Sequence, residues 1–594
     1  MSVTKNTKPT QNGKILARIL ALAKPYKWIF ILAAVLSVVL APLAILRPFL
    51  VQLTVDKHIL NNDYDGLLLM ISILFGILIL EGLLSYLFSF STSWLGQSII
   101  RDTRIKVFRH INSLRLTYFD RTPIGTNMTR TISDLETINT VFSEGIITIV
   151  ADILTLIFVL AIMFYTSWSL TLVCLCIFPL LLVASYWFKE AVKKSYEQVR
   201  NLVATLNAFL QERISGMRLV QIFNAENQEN QKFEKISRDY TRANLNSIFP
   251  YAVFFPLVEI FSAASLGLMV WYGARGVLDG DVTLGILIAF PLYLGQLFRP
   301  IRMLADKFNS LQMGLVAANR VFELLDNREQ ISNEGKIIAT QLKGDIVFKN
   351  VFFSYQQDKK AEEIEEWILQ NISFRLTQGQ TLAIVGSTGA GKSTIINILS
   401  RFYEIHTGEI LIGNDNLKSF ELYALRRRIA VVLQDVFLFS GTVFENISLN
   451  DRSISKEQVI AAAQLIGAHE YIIRLPEGYD YQVRERGATL SMGQRQLISF
   501  VRALVFNPDI LVLDEATSAI DPETEAIIQH AIEKLINRRT SIIIAHRLST
   551  IQHAQQIMVL EKGQIAEIGS PAELMQLENG HYRQLVAASQ QEAV

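Results

Sequence analysis

Residues 386–394 read Gly386-Ser387-Thr388-Gly389-Ala390-Gly391-Lys392-Ser393-Thr394 and satisfy the spacing G-x-x-x-x-G-K-[ST]. That spacing suits phosphate chemistry. The glycines let backbone N–H groups curl round an anion, Lys392 reaches the β- and γ-phosphates of a nucleotide, and the Ser393 hydroxyl is a ligand for Mg2+. ATP and Mg2+ are the expected pair. A bare strand-to-helix turn is the competing reading, and the motifs further along weigh against it.

In Asp509-Ile-Leu-Val-Leu-Asp514-Glu515-Ala-Thr-Ser-Ala-Ile-Asp521, the apolar run Ile510–Leu513 ends in two acids. A strand ending so presents Asp514 to Mg2+ and Glu515 to the water that attacks a phosphate. One acidic strand end is common by chance; the second acid followed by Ala-Thr and Ser-Ala-Ile-Asp is not. Leu490-Ser491-Met492-Gly493-Gln494 opens a helix whose first N–H groups form an anion site. A second phosphate-facing helix start is redundant within one chain that already has a phosphate loop, and makes sense if it faces ATP held by a neighbouring subunit.

The elements that must position these residues are short strands and helices. Thr-Leu-Ala-Ile-Val before Gly386 reads as a buried strand, and the run from Thr394 opens a helix. From about residue 340 the composition is that of an α/β domain. Asp-Ile-Val-Phe-Lys-Asn-Val-Phe-Phe-Ser-Tyr (345–355) alternates as an edge strand would, and Asn-Ile-Ser-Phe-Arg-Leu supplies another strand. The stretch 356–369 between them is a charged, solvated loop. Tyr355, about thirty residues before the phosphate loop, suits stacking on adenine, and reads equally well as an ordinary strand residue.

The rest of the chain is of another kind. Half of the 594 residues are hydrophobic and 19% are charged, against roughly 25% in soluble domains, and the mean hydropathy is +0.29. The excess lies before residue 300, in runs at 28–46, 67–88, 146–165, 170–188, 249–271 and 282–298. The first is long enough to cross a bilayer. Basic residues Lys14, Arg18, Lys24 and Lys27 precede it and place the N-terminus inside. The tail 1–12 lacks the apolar core of a signal peptide. Short links after the third and fifth runs require antiparallel hairpins, while basic stretches at 97–140 and 189–245 are large interior extensions. Six crossings return the chain to its starting side, so the ATP-binding part is expected in the cytoplasm. Buried helices of a large soluble protein are the alternative, made improbable by the alternating basic flanks. A formal net charge of +1 gives no argument for nucleic acid. Cys174 and Cys176 sit two apart in an apolar run, as packed membrane residues and not as a disulfide framework.

Taken together, the motifs resemble those of ABC exporter half-transporters over nearly the whole chain from about residue 15. The resemblance implies residues 1–27 as a cytoplasmic tail and lead-in helix, 28–325 as an all-α transmembrane domain of six helices with long intracellular extensions, 326–340 as a linker, and 341–594 as an α/β P-loop ATP-binding cassette. It makes Gln434, in Val-Val-Leu-Gln-Asp-Val-Phe, the glutamine that senses Mg2+ and the membrane domain. Ser491, Gly493 and Gln494 become the signature that meets the partner's ATP, Asp521 the D-loop acid, His546 in Ile-Ala-His-Arg the switch histidine, and Tyr355 the adenine stacker. Glu485-Arg486-Gly487 and the segments 118–125 and 214–223 resemble coupling regions between the cassette and the intracellular loops. Two departures stand out: Met492 replaces a glycine of the signature, and Arg484 stands where the family often has a small residue.

What the family reading implies is ATP-driven export from the cell (inner) membrane, with both termini and the cassettes in the cytoplasm. Two half-transporters, identical or paralogous, would close on two ATP molecules. The resemblance extends to bacterial multidrug and lipid exporters, including the catalytic half of heterodimeric ones. An ATP-gated channel or the regulatory half of a membrane complex is the other class, which vectorial flux against single-channel current would separate. Glu81, Asp152 and Glu259 lie within apolar runs, where an ionisable group is costly unless it faces a cavity or a partner. Asp152 is the best placed of the three to meet cargo. Phe254, Phe255, Phe290 and Tyr293 suit the lining of an apolar cavity, so amphipathic or lipophilic cargo, cationic drugs or lipids, is expected within surrounding membrane lipid.

Overall fold

In the computed structural model the described residues are 9–331, 333–357, 359, 361–514, 522–537, 539–545, 551 and 554–592. They form two units: residues 1–112 with 124–328, and residues 113–123 with 329–594.

The first unit is helical. Five of its helical stretches are long and apolar enough to cross a membrane: Lys24–Ile59, Tyr64–Ser113, Ile124–Thr166, Trp168–Ser215 and Glu226–Asp279. A shorter apolar segment, Leu284–Pro300, begins the continuous helix Leu284–Asp326. The helix Tyr64–Ser113 has 50 residues, about 75 Å at 1.5 Å per residue, against a hydrocarbon layer of about 30 Å. No residue of its apolar window is buried within the protein. Water is a poor solvent for such a face and lipid a good one. Ser167 alone separates the helices Ile146–Thr166 and Trp168–Leu175, the hairpin that the short link predicts.

Inside this unit the packing is aromatic. Phe188 stacks on Phe254 at 4.1 Å between ring centroids and meets Tyr251 edge-on at 5.0 Å. Phe254, Phe290 and Tyr293 are 2%, 0% and 0% exposed. They are core residues, which corrects the expectation that they line an open cavity; Phe255 alone of that group is exposed. Asp152 is not a lone acid either, because Lys307, 155 residues later, donates to its carboxylate. Glu259 is exposed and Glu81 half-buried. The stretch 97–140 is tied by Arg104–Glu136 at 3.1 Å within it and by Asp134 to Arg320, on the helix Leu284–Asp326, at 2.8 Å. The carboxylate of Asp56 accepts the Thr283 hydroxyl at 2.6 Å and the Gly285 N–H at 2.8 Å, fastening the end of the first span to the start of the last helix.

The second unit carries β1 (Ile346–Phe353), β2 (Leu369–Leu376), β3 (Thr381–Gly386), β4 (Thr407–Ile412), β5 (Asp415–Asn416), β6 (Ile429–Val432), β7 (Gly441–Thr442), β8 (Gln482–Val483), β9 (Ile510–Asp514), β10 (Thr540–Ile544), β11 (Gln556–Glu561) and β12 (Gln564–Gly569). A six-stranded sheet runs β12-β11-β3-β10-β9-β6, a four-stranded one β2-β1-β4-β5, and β7 pairs with β8. The strand that alternates at 346–353 is thus interior, with β2 on one side and β4 on the other, and not an edge. In the larger sheet β11, β3, β10, β9 and β6 are parallel. Continuous runs such as Thr-Leu-Ala-Ile-Val and Ile-Leu-Val-Leu fill its centre because both faces are covered.

Candidate nucleotide site

Parallel strands deliver their C-terminal ends to one edge of a sheet, which is where open α/β sheets bind ligands. Here that edge gathers the motifs that lie far apart in the chain. β3 ends in the phosphate loop, β9 ends in Asp514, and Gln434 follows β6 by two residues. The registers Ile384↔Ile544 and Ile544↔Asp514 set β10 between β3 and β9 at the same level. Glu515, Asp521 and His546 lie outside the described residues; Glu515 directly follows β9, and His546 comes two residues after β10.

The loop itself needs its glycines. Gly386 has φ +151°, and a Cβ there would stand 2.2 Å from the Leu560 carbonyl oxygen. Gly391 has φ +99°, with a Cβ position 2.7 Å from Leu369 Cδ2. Any other residue would be strained at these places and would collide with neighbours. Lys392 begins the helix Lys392–Leu399 and is buried, and its Nζ donates to the carbonyls of Gly386 at 2.8 Å and Ser387 at 2.9 Å. Burial holds its ammonium below the ordinary lysine range, partly offset by Asp514. An ammonium has three donors, so two fix its position over the loop and the third remains for a phosphate oxygen.

The Ser393 hydroxyl donates to Asp514 Oδ2 at 3.4 Å. A hydroxyl and a carboxylate oxygen from two distant motifs, side by side, are the hard oxygen donors that Mg2+ takes, so the pair fits the ion. Tyr355 stands beside the same helix. Its hydroxyl is 3.1 Å from Thr394 Oγ1 and accepts from Asn397 Nδ2 at 3.3 Å. Its ring meets Phe353 and Tyr403 edge-on, each at 5.0 Å, and is 36% exposed. Thr388, Gly389 and Ala390 complete the turn between β3 and the helix.

The signature residues form a separate group. Ser491 caps the helix Met492–Val505: the Gln494 N–H donates to its Oγ at 3.2 Å, and its own N–H donates to Gln494 Oε1 at 2.9 Å. This reciprocal box fixes the helix start, leaving Gly493 buried in the first turn where the positive end of the helix lies. Met492 lines a cavity of about 180 Å3 together with Gln434, Asp435, Arg486 and Arg495. Asn397 and Tyr403 escaped the sequence reading. Asn397 was findable, since it lies three residues after Thr394 and so on the same helix face; Tyr403 becomes visible only in three dimensions.

Residues 29–301 match the family described as ABC transporter transmembrane region, and residues 369–518 match the one described as ABC transporter. The chain belongs to the ABC transporter family. This ABC transporter is 33% identical to a putative multidrug export ATP-binding/permease protein, YgaD, of Bacillus subtilis (strain 168), over 95% of its own length and 98% of the relative's. It is 36% identical to an ATP-dependent lipid A-core flippase of Desulfotalea psychrophila (strain LSv54 / DSM 12343), over 97% of its own length and 99% of the relative's. A solved bacterial Atm1-family ABC exporter with ATP bound aligns with a TM-score of 0.77 at 28% identity, over 94% of this chain and 97% of that one. The protein is therefore an exporter half-transporter in which a multi-pass membrane domain is fused to an ATP-hydrolysing, nucleotide-binding cassette.

Proposed function

We propose that this ABC transporter exports amphipathic or lipophilic compounds, drugs or lipids, by alternating access. Two half-transporters, copies of this chain or this chain with a paralogue, would close their cassettes on two ATP molecules. The observation that carries the catalytic part is the approach of Ser393 to Asp514 beneath the Lys392 loop. Ser393 and Asp514, with Gln434 at the same sheet edge, would hold Mg2+, which supplies charge neutralisation at the β- and γ-phosphates. Lys392 binds a phosphate oxygen, the N–H groups of the loop wrap the rest, and Tyr355 stacks on adenine. Glu515 would orient and polarise the attacking water, and His546 would contact the γ-phosphate. The signature of one cassette, Ser491, Gly493 and Gln494, meets the ATP of the other beside Asp521. The cargo class is supported by the names of the relatives, multidrug export and lipid A-core flipping. Leu284–Pro300 would be a sixth span beside the five longer ones, and an even number of crossings would leave both termini and the cassette on one side, which we take as the cytoplasm. The domain limits are taken as 28–325, 326–340 and 341–594.

Glu515→Gln tests the catalytic assignment. It should leave ATP binding within about twofold and lower turnover by about 100-fold or more, trapping closed cassettes. Turnover near wild type would overturn the role. Native mass measurement on the chain expressed alone, with ATPase activity on the same sample, tests the partner. An active dimer is expected for identical halves, and an inactive monomer contradicts that arrangement.

A further inference from the structure

The segment 113–123 lies, in sequence, between two membrane helices, yet it belongs to the cassette unit. Two sets of bonds hold it there. At its start the Arg115 N–H donates to the Glu329 carbonyl at 2.9 Å, its Nε to the Gln330 carbonyl at 2.7 Å, and Gln330 Nε2 to Ser113 Oγ at 2.8 Å. Near its end the Tyr403 hydroxyl donates to the Asp120 carboxylate.

Tyr403 is 5% exposed and is one of three aromatic rings set edge to face. It meets Tyr355 at 5.0 Å and 88°, and Phe353 at 6.0 Å and 71°. Tyr355 in turn bonds Thr394 and Asn397 on the phosphate-loop helix. A base on the open face of Tyr355 would be separated from Asp120 by two tyrosine rings. Tyr403 sits in a packed core and Tyr355 at its exposed margin, in ring contact with it, so a shift of Tyr355 is felt by Tyr403. Burial and Asp120 hold the Tyr403 phenol well above its ordinary range, so it remains a proton donor to that carboxylate at any physiological pH.

We infer that Tyr403 is a positioning residue that relays nucleobase binding at Tyr355 to the segment 113–123 through its hydrogen bond to Asp120. The relay rests on the reading of Tyr355 as the adenine stacker. It acts on the base side of the nucleotide, through residues that do not line the cavity shared by Gln434 and Arg486. Because the segment is covalently continuous with the helical stretches Tyr64–Ser113 and Ile124–Thr166, a change at Asp120 is delivered to two membrane-spanning stretches at once.

Coupling of this kind needs a coupling measurement, not proximity alone. Backbone amide exchange of residues 113–123 in the full-length protein in lipid nanodiscs, with and without the non-hydrolysable analogue AMP-PNP, supplies it. In the wild type the nucleotide should slow exchange by about fivefold or more. Tyr403→Phe keeps the ring and the core but removes the donor, so the slowing should fall below about twofold while AMP-PNP affinity stays within about threefold. Asp120→Ala, at an exposed position that leaves the core intact, should have the same effect. Asp120→Asn should retain the slowing, because its amide oxygen still accepts from the phenol. The double variant Tyr403→Phe/Asp120→Ala should be no worse than either single one. Full slowing in both Tyr403→Phe and Asp120→Ala, or no effect of nucleotide on the wild-type segment, overturns the relay. Tyr355→Ala separates the two ideas. Unchanged AMP-PNP affinity in that variant defeats the adenine reading and with it the base-side relay, whereas weakened affinity beside full slowing in Tyr403→Phe defeats the relay alone.

Discussion

At the scale of single residues, the phosphate loop shows how little latitude the site allows. Gly386 and Gly391 hold backbone angles that other residues resist, and Lys392 is pinned by two carbonyls. All three roles are legible in the sequence because the motif is local. Asp152 shows the opposite case. Read along the chain it is an acid in an apolar run, but its partner Lys307 comes from another helix 155 residues away, beyond any periodicity that a window of sequence contains. The pair is part-buried, with side chains 28% and 18% exposed, so Asp152→Asn leaves an uncompensated ammonium. The expected cost is about 1–3 kcal/mol of stability, read as a lowered unfolding temperature in detergent and as equal loss of transport for cationic and neutral cargo. Asp152→Asn/Lys307→Met should recover most of the stability. Selective loss of cationic transport with unchanged stability would instead return Asp152 to the cargo path.

At the scale of elements, what repeats locally is legible in the sequence and what depends on distant pairing is not. β3, β9 and β10 are apolar on both faces because they lie in the middle of a covered parallel sheet, and such runs announce themselves. The position of β1 did not, since its second neighbour, β4, begins more than fifty residues later and only the pairing Ile346↔Ile412 reveals it. Long helices were likewise legible as apolar runs with basic extensions, whereas the burial of Phe254, Phe290 and Tyr293 depends on which helices face one another. The signature helix offers a test at this scale. Ser491 both caps the helix and sits in the motif, so Ser491→Ala should cost about 1 kcal/mol through the lost cap and also lower ATPase turnover. Ser491→Asp restores a capping oxygen and should recover the stability, while placing a negative charge where the partner's phosphate is received. Recovery of turnover together with stability would show that Ser491 is only a cap.

For the molecule as a whole, the sequence divides into an apolar first part and an α/β second part, and the structure adds one exchange between them: residues 113–123 join the cassette unit. A fused chain of this kind converts events at a nucleotide site into movement of membrane helices, and the two halves of that claim are separable by experiment. The most direct measurement is ATP-driven accumulation of a fluorescent lipophilic dye, Hoechst 33342, or flipping of a nitrobenzoxadiazole-labelled phospholipid, in proteoliposomes whose cassettes face outward, with membrane current recorded on the same preparation. The account predicts uptake or flipping that requires ATP with Mg2+, stops with EDTA, falls by about tenfold or more in Lys392→Ala, and is accompanied by no single-channel current. ATP-dependent single-channel current with neither probe moved would contradict it.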